Sequence, residues 1–379
     1  MNKYLCFIVI FVFITPFLFS DTEDADTINF FPHFLFLDFD EAESSDFFPE
    51  NYEDDPDSIS EDNEYPDLLH EDDENPDSIL QLSEFSGADD LWRVFVSNPD
   101  SESAADILIT LGIVGKGNRN IINNLNNYLI GRNLTYKSGS HVNYSIVSAC
   151  ILAIMELGDS SSYQALFSAY CAGYPEVITN EAYGAMEVIP GNLHQFLLNV
   201  LWNNPPDEKL AAFRAGINSV RLSISEQGQL AELALEQALA DTNSNIDLAA
   251  MRYSAVLTLT HLRWTRANAL AIRHYYRVQA DYHQGTVSKE RFIESITCLG
   301  AVGNSQAALV LGLQLGLINA RTESTGIFDP EITLSIVQAL GLIGDNAAFD
   351  HLLYVSNLSY PEYIQAAARE AIDNLKWVR

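Results

Sequence analysis

Basic residues are missing from a long stretch near the start of the chain. The 379 residues include 52 Asp or Glu and 20 Lys or Arg, and residues 21–90 hold 26 of the acids and none of the bases. Contacts to nucleic-acid phosphates need clustered Lys and Arg. The charge balance therefore argues against a general nucleic-acid-binding protein.

Cysteine is scarce as well. After Cys6, which lies in the apolar opening, the chain contains only Cys150, Cys171 and Cys298. An odd and sparse set is not the framework of a disulfide-stabilised protein. A single Cys150–Cys171 bridge and three buried free thiols both remain open.

Motifs that carry chemistry are absent too. The eight histidines show no His-Glu-x-x-His or comparable metal-ligand spacing, and no Gly-x-Ser-x-Gly nucleophile motif occurs. His261, His274 and His283 are the closest group, but positions 274 and 283 face different directions on one helix. The sequence therefore nominates no catalytic residue, no metal ligand and no cofactor, and the protein is not expected to be an enzyme.

The apolar opening is too short for a membrane-spanning helix, which needs about 20 residues. "MNKYLCFIVIFVFITPFLFS" has one base, Lys3, and a helix-breaking Pro16 before an acidic stretch, a pattern typical of a secretory signal. We expect residues 1–20 to be a signal peptide and the protein to be exported, either to a periplasm or to the extracellular space. An uncleaved membrane anchor is the alternative.

Residues 21–86 form an acidic tract with its own period. Pro56, Pro66 and Pro76 recur every ten residues, each followed by Asp and, three positions after the proline, by Ile or Leu. Proline disfavours helix, and so few apolar side chains cannot offset an ordering entropy of about 1–2 kcal/mol per residue. We expect a disordered segment. A spacer, a multivalent docking strip and a weak calcium site remain open as its roles.

Apolar residues recur at helical spacing from about residue 101. Three stretches share the pattern Leu-Gly-x-Val/Ile-Gly-polar: "LGIVGKGN" (111–118), "LGAVGNSQ" (299–306) and "LGLIGDNA" (340–347). Weaker versions occur near positions 157 and 189, and two further junctions near Leu222 and Leu262 lack the glycines but lie between comparable helical patterns. The steps between the seven junctions run from 32 to 46 residues. A step of that length fits one helical hairpin. The sequence predicts an all-α solenoid of about seven hairpins over residues 87–379.

The glycines of these stretches are interpreted as turns. Gly115, Gly303 and Gly344 should end helices, and Asp345 should cap the next one. Gly300 and Gly341, one turn earlier, should let paired helices approach closely. A phosphate-binding loop at "GIVGKGN" is disfavoured, because the stretch follows a helical pattern and lacks the Gly-Lys-Ser/Thr ending.

The repeats resemble HEAT-like repeats, particularly the short form of bacterial and phycobilisome-lyase-type proteins. "CLGAVGNSQAALVL", "ALGLIGDNAAFDHLL" and "QAAAREAIDNLKW" carry the resemblance, which covers about residues 101–377. It implies a curved stack of helical pairs that binds proteins or peptides without chemistry of its own. Some members of the family act in chromophore attachment, but no residue here matches a catalytic motif.

One segment is basic within this acidic protein. Residues 252–291 contain seven bases and two acids, with Tyr and His interleaved. Arg266, Arg273, Tyr276 and Arg277 are the candidate binding residues, because the arginine spacing predicts one helical face and this composition is favoured at binding hot spots. A solvated outer face is the alternative. The acidic ligand could be a segment of a partner or the chain's own acidic tract, docked intramolecularly.

The expected function is an exported, non-enzymatic scaffold that binds a protein or peptide through the surface of the solenoid. Neither nucleic acid nor a stable membrane span after signal cleavage is expected. Two alternatives stay open: a helical-repeat enzyme or ligand- or chromophore-handling accessory protein, and a structural envelope component.

Overall fold

A computed structural model of the chain describes residues 87–241 and 245–376. The predicted all-α class is confirmed: the described residues form sixteen α-helices and three short 3-10 turns, with no strand among them. In chain order the helices are α1 (Ala88–Ser97), α2 (Ala104–Val114), α3 (Arg119–Lys137), α4 (Tyr144–Leu157), α5 (Tyr163–Tyr170), α6 (Glu176–Val188), α7 (Leu193–Asn203), α8 (Pro206–Asn218), α9 (Ile224–Ala240), α10 (Ile246–Leu262), α11 (Asn268–His283), α12 (Lys289–Val302), α13 (Ser305–Thr325), α14 (Pro330–Ile343), α15 (Phe349–Asn357) and α16 (Glu362–Asp373). The predicted signal peptide and acidic tract lie outside the described residues.

The helices pack in two layers. In the first layer, α2 packs on α4 and α4 on α6, and α8, α10, α12, α14 and α16 follow side by side. The hydroxyl of Tyr183 on α6 donates to the carbonyl of Ala215 on α8 (3.4 Å). This hydrogen bond connects the helices α2, α4 and α6 to the helices that begin with α8. Odd-numbered helices form the second layer. In it, α3 packs on α5, and the helices α7, α9, α11, α13 and α15 follow in order.

Consecutive helices alternate between the layers, which makes the chain a stack of helical pairs. The seven pairs from α2–α3 to α14–α15 are flanked by α1 and α16. Each of the seven junctions predicted from the sequence falls at the end of a first-layer helix or in the loop after it. Buried apolar side chains form one continuous cluster from Leu91 to Leu375, as expected where each pair buries its apolar faces against its neighbours.

Close packing between units depends on glycine. Three first-layer glycines each face an alanine of the next first-layer helix: Gly112 against Ala153, Gly300 against Ala339, and Gly341 against Ala371. A Cβ at Gly300 would lie 2.8 Å from the Cα of Ala339, so a side chain there would force the helices apart. We expected this close approach within a pair; it lies between successive units.

The predicted turn glycines follow the last residues of their helices with different backbone geometry. Gly344 has φ 68°, and its amide donates to the carbonyl of Leu340 (2.9 Å). The Asp345 carboxylate accepts a hydrogen bond from the amide of Ala347 (2.9 Å) at the start of the next turn. Gly115 and Gly303 have negative φ values. At both, an added Cβ would overlap a carbonyl oxygen of the preceding turn, so the reason for glycine there is space.

The three cysteines of the described residues are free thiols, so Cys150 and Cys171 do not pair. Burial raises the pKa of Cys171 to about 12 and that of Cys298 to about 11. These side chains behave as small core residues. Among the described residues, no helix combines the length and apolarity needed to cross a membrane.

Candidate functional site

The basic segment predicted from the sequence lies on α10, α11, α12 and the turns between them. Arg266 precedes α11, and its Nε lies 3.0 Å from Oε2 of Glu232 on α9. The same carboxylate oxygen accepts from Nε1 of Trp264 (2.8 Å), and the Arg266 guanidinium lies 5.6 Å from the Trp264 ring centroid. Arg266 is therefore engaged with α9, although an ion pair this exposed contributes only about 0–1 kcal/mol.

Arg273 and Tyr276 lie on the exposed face of α11. Within the described residues, Arg273 has no ion-pair partner. An exposed guanidinium beside an exposed tyrosine is a combination that protein interfaces favour.

Arg277 points elsewhere. Its side chain is half-buried, and its Nη1 donates to the carbonyl of Asp241 (2.9 Å). The four predicted residues therefore do not share one face. Helix α11 begins only at Asn268, so helical spacing does not extend to Arg266.

Three leucines that sequence reasoning missed lie on the neighbouring helix. Leu309, Leu313 and Leu317 on α13 are 53%, 65% and 69% exposed. Residues four apart lie on one side of a helix, so these side chains form a leucine stripe. The periodicity could not reveal it, because α13 also buries leucines on its opposite side.

Helix α13, which carries the leucine stripe, packs on α11, which carries Arg273 and Tyr276. Gln279 on α11 donates to Oε1 of Gln314 on α13 (2.9 Å), which holds the two helices together. Both helices belong to the second layer, where these residues are exposed. We call the surface formed by Arg273, Tyr276 and the leucine stripe the α11–α13 face.

A second feature lies in the interior of the same region. Arg252 on α10, His274 on α11 and Arg291 on α12 gather around Tyr253. The charge of Arg277 on α11 acts on both Arg252 and His274, and we call these four residues (Arg252, His274, Arg277 and Arg291) the cationic cluster. The guanidinium carbons of Arg252 and Arg291 lie 4.9 and 4.5 Å from the Tyr253 ring centroid. The His274 ring meets the same tyrosine edge-on at 5.9 Å, and Nη2 of Arg252 donates to its hydroxyl (3.1 Å).

Several nitrogen atoms of this cluster have no hydrogen-bond partner. Arg252 is only 5% exposed, yet its Nε and Nη1 are unpartnered, as are both ring nitrogens of the fully buried His274. Burial, reinforced by the charges of Arg252, Arg277 and Arg291, lowers the pKa of His274 to about 3. Burial also lowers the pKa of Arg252. His274 is therefore neutral at pH 7, whereas Arg252 keeps its charge, since an arginine does not deprotonate in proteins.

The chain matches no known protein family and shows no significant match to a curated protein. What the fold defines is an all-α protein of stacked helical pairs. The part of the chain that the structure describes contains no group of three or more His, Cys, Asp or Glu side chains placed to hold a metal ion.

Proposed function

We propose that the chain is a protein-interaction scaffold that binds a partner protein through the α11–α13 face. The observation that supports this most directly is the leucine stripe, because three exposed leucines in a row on one helix form a contiguous apolar strip. Contiguous exposed apolar surface on a soluble protein marks an interaction site. Leu353 and Tyr354 on α15, 44% and 38% exposed, add to the same side of the second layer.

The chemistry of this face favours an amphipathic helix with an acidic flank as the partner segment. A helix that presents apolar residues at intervals of three and four can lay them along a row of leucines. Arg273 lacks an ion-pair partner among the described residues, so an acidic side chain of the partner can pair with it. Tyr276, 49% exposed, supplies further rigid contact area.

The repeat type and the compartment belong to the same proposal. The Leu-Gly-x-Val/Ile-Gly junctions and the recurring glycine–alanine contacts support HEAT-like repeats. The apolar opening with Lys3 and Pro16 supports export with cleavage after about residue 20. Mass spectrometry of the protein purified from the native cell tests the export proposal, because it shows at which residue the mature chain begins.

A pair of matched substitutions tests the binding proposal. Leu313→Glu places a charge on the α11–α13 face, while Leu342→Glu makes the same change at a comparably exposed leucine (61%) on α14, in the first layer. Full-length wild-type and variant proteins would be used to capture partners from the native cell, and the captured protein would then be titrated with each.

Leu313→Glu should weaken binding about five- to thirtyfold, since loss of most of one leucine contact is worth about 1–2 kcal/mol. Leu342→Glu should bind like the wild type, and Arg273→Glu should weaken binding most at low salt. Equal affinity of the two leucine variants, or no partner above background for the wild type, would refute the proposal.

A further inference from the structure

We propose that the cationic cluster is a binding site for one carboxylate group. The site is separate from the α11–α13 face, so either proposal can fail without the other. The cationic cluster consists of side chains inside the helical stack. Such a site suits the binding of a small ligand group better than the docking of a protein surface.

The first argument is the cost of leaving the cluster as it stands. A buried charge is strongly destabilising unless it is paired and hydrogen-bonded. Within the described residues, neither Arg252 nor Arg277 has a carboxylate within ion-pair distance. Other buried polar atoms of the described residues also lack a partner, among them Oδ1 of Asn133 and both carboxylate oxygens of Glu187, but Arg252 is the one arginine among these residues. Arg221, by contrast, donates to the carbonyls of Met186 (3.0 Å) and Ile189 (2.8 Å). The unpartnered guanidinium nitrogens of Arg252 therefore point to a ligand.

The second argument concerns the charge that fits. Arg252, Arg277 and Arg291 contribute three positive charges. Glu294 accepts from Arg291 (2.8 Å), and Asp281 attracts Arg252 electrostatically, which leaves about one positive charge uncompensated. A carboxylate carries a single negative charge, and its planar pair of oxygens matches the guanidinium donors. Neutral His274 can donate one further hydrogen bond from either ring nitrogen.

Access to the cluster is from one side. The unpartnered nitrogens of Arg252 and His274 are shielded from solvent, whereas the side chains of Arg277 and Arg291 stay partly exposed. The ligand therefore enters past Arg277 and Arg291, with a local shift of these side chains. A small organic acid and an Asp or Glu side chain of another protein share this chemistry.

Thermal unfolding of the full-length protein tests the site, with sodium acetate compared with sodium chloride at equal ionic strength. Arg252→Met removes the buried charge, and Arg214→Met makes the same change at an exposed arginine of α8 that has no ion-pair partner among the described residues. Acetate should raise the Tm of the wild type and of Arg214→Met by about 2 °C or more relative to chloride. Arg252→Met should itself raise the Tm, because a buried unpaired charge is lost, and should abolish the specific acetate response.

Three results would overturn the inference: no acetate-specific rise in the wild type, an equal rise in Arg252→Met, or an Arg252-dependent part of the rise that is larger with phosphate than with acetate. An equal rise in Tm in the wild type and in Arg252→Met would show that acetate acts only through the general stabilisation by salts excluded from protein surfaces. If Arg252→Met does not fold, His274→Leu takes its place in the test. This variant removes the ring donor and should also lose the acetate-specific rise in Tm. A blocked Ala-Glu-Ala peptide that reproduces the acetate effect would assign the ligand to a side chain; acetate alone would assign it to a small acid.

Discussion

Substituting one glycine of the first layer gives a quantitative test of how the helical pairs stack. At Gly300, an alanine Cβ would lie 2.8 Å from the Cα and 2.9 Å from the Cβ of Ala339 on the next first-layer helix. Carbon atoms in favourable contact lie about 3.5–4.0 Å apart, so α12 and α14 would have to separate by most of an ångström. Neither neighbouring atom belongs to a flexible side chain that could move away.

The expected cost follows from two opposing terms. Overpacking of this kind costs about 1–3 kcal/mol, while Gly→Ala inside a helix gains up to about 1 kcal/mol in helix propensity. With the full gain in propensity, Gly300→Ala should destabilise the protein by about 0–2 kcal/mol. Gly184→Ala on α6 is the matched control, because nothing lies within 4 Å of its added Cβ, and it should stabilise by about 0.5–1 kcal/mol.

Urea unfolding followed by circular dichroism would measure both variants. Both variants share the gain in helix propensity, so their free energies of unfolding should differ by the overpacking cost, about 1–3 kcal/mol. A repeat array can unfold in stages, so the transition that reports the C-terminal units is the relevant one. If Gly300→Ala proves as harmless as Gly184→Ala, the close packing between successive first-layer helices would be incorrect.

Three further predictions concern local features. Gly344→Ala should cost about 1–2 kcal/mol in urea unfolding, because an alanine disfavours the left-handed backbone, and its Cβ would also lie 3.0 Å from the carbonyl oxygen of Asn374. His274 has a folded pKa of about 3, below its unfolded value of about 6.5, so its contribution to stability is lost as the pH falls from about 6.5 towards 3. His274→Leu should therefore remove about 2 kcal/mol of the stability that the wild type loses between pH 7 and pH 5; unchanged pH dependence would count against a buried, unpartnered imidazole. The thiols of Cys150 and Cys298 should react with a thiol reagent at pH 8 only after unfolding, since burial raises the pKa of both.

The ends of the helices were predictable because the chemistry that ends a helix is local. Gly344 closes α14, Asp345 caps the turn after it, and the Asn304 side chain accepts from the amide of Gln306 at the start of α13. These preferences depend on a few neighbouring residues. The local sequence pattern was therefore enough to place the seven junctions.

The candidate site depended on tertiary packing and was predictable only in part. The basic composition located the right segment, but it did not separate exposed Arg273 from buried Arg252 or half-buried Arg277. Which face of α10 or α13 is buried is decided by the neighbouring helices packed against it, such as α8 and α12 on α10 and α11 and α15 on α13. The leucine stripe and the unpartnered nitrogens of Arg252 could therefore be identified only in the folded chain.

Site-specific photo-crosslinking in the native cell tests the proposed binding surface most directly. A photoreactive phenylalanine would replace Leu313 on the α11–α13 face or, as the control, Leu342 on α14 in the first layer. We predict a protein adduct of defined mass from position 313 that is absent from position 342 and is suppressed when Arg273→Glu is added. Equal adducts from both positions, or none from position 313, would contradict the assignment of this face as the binding surface.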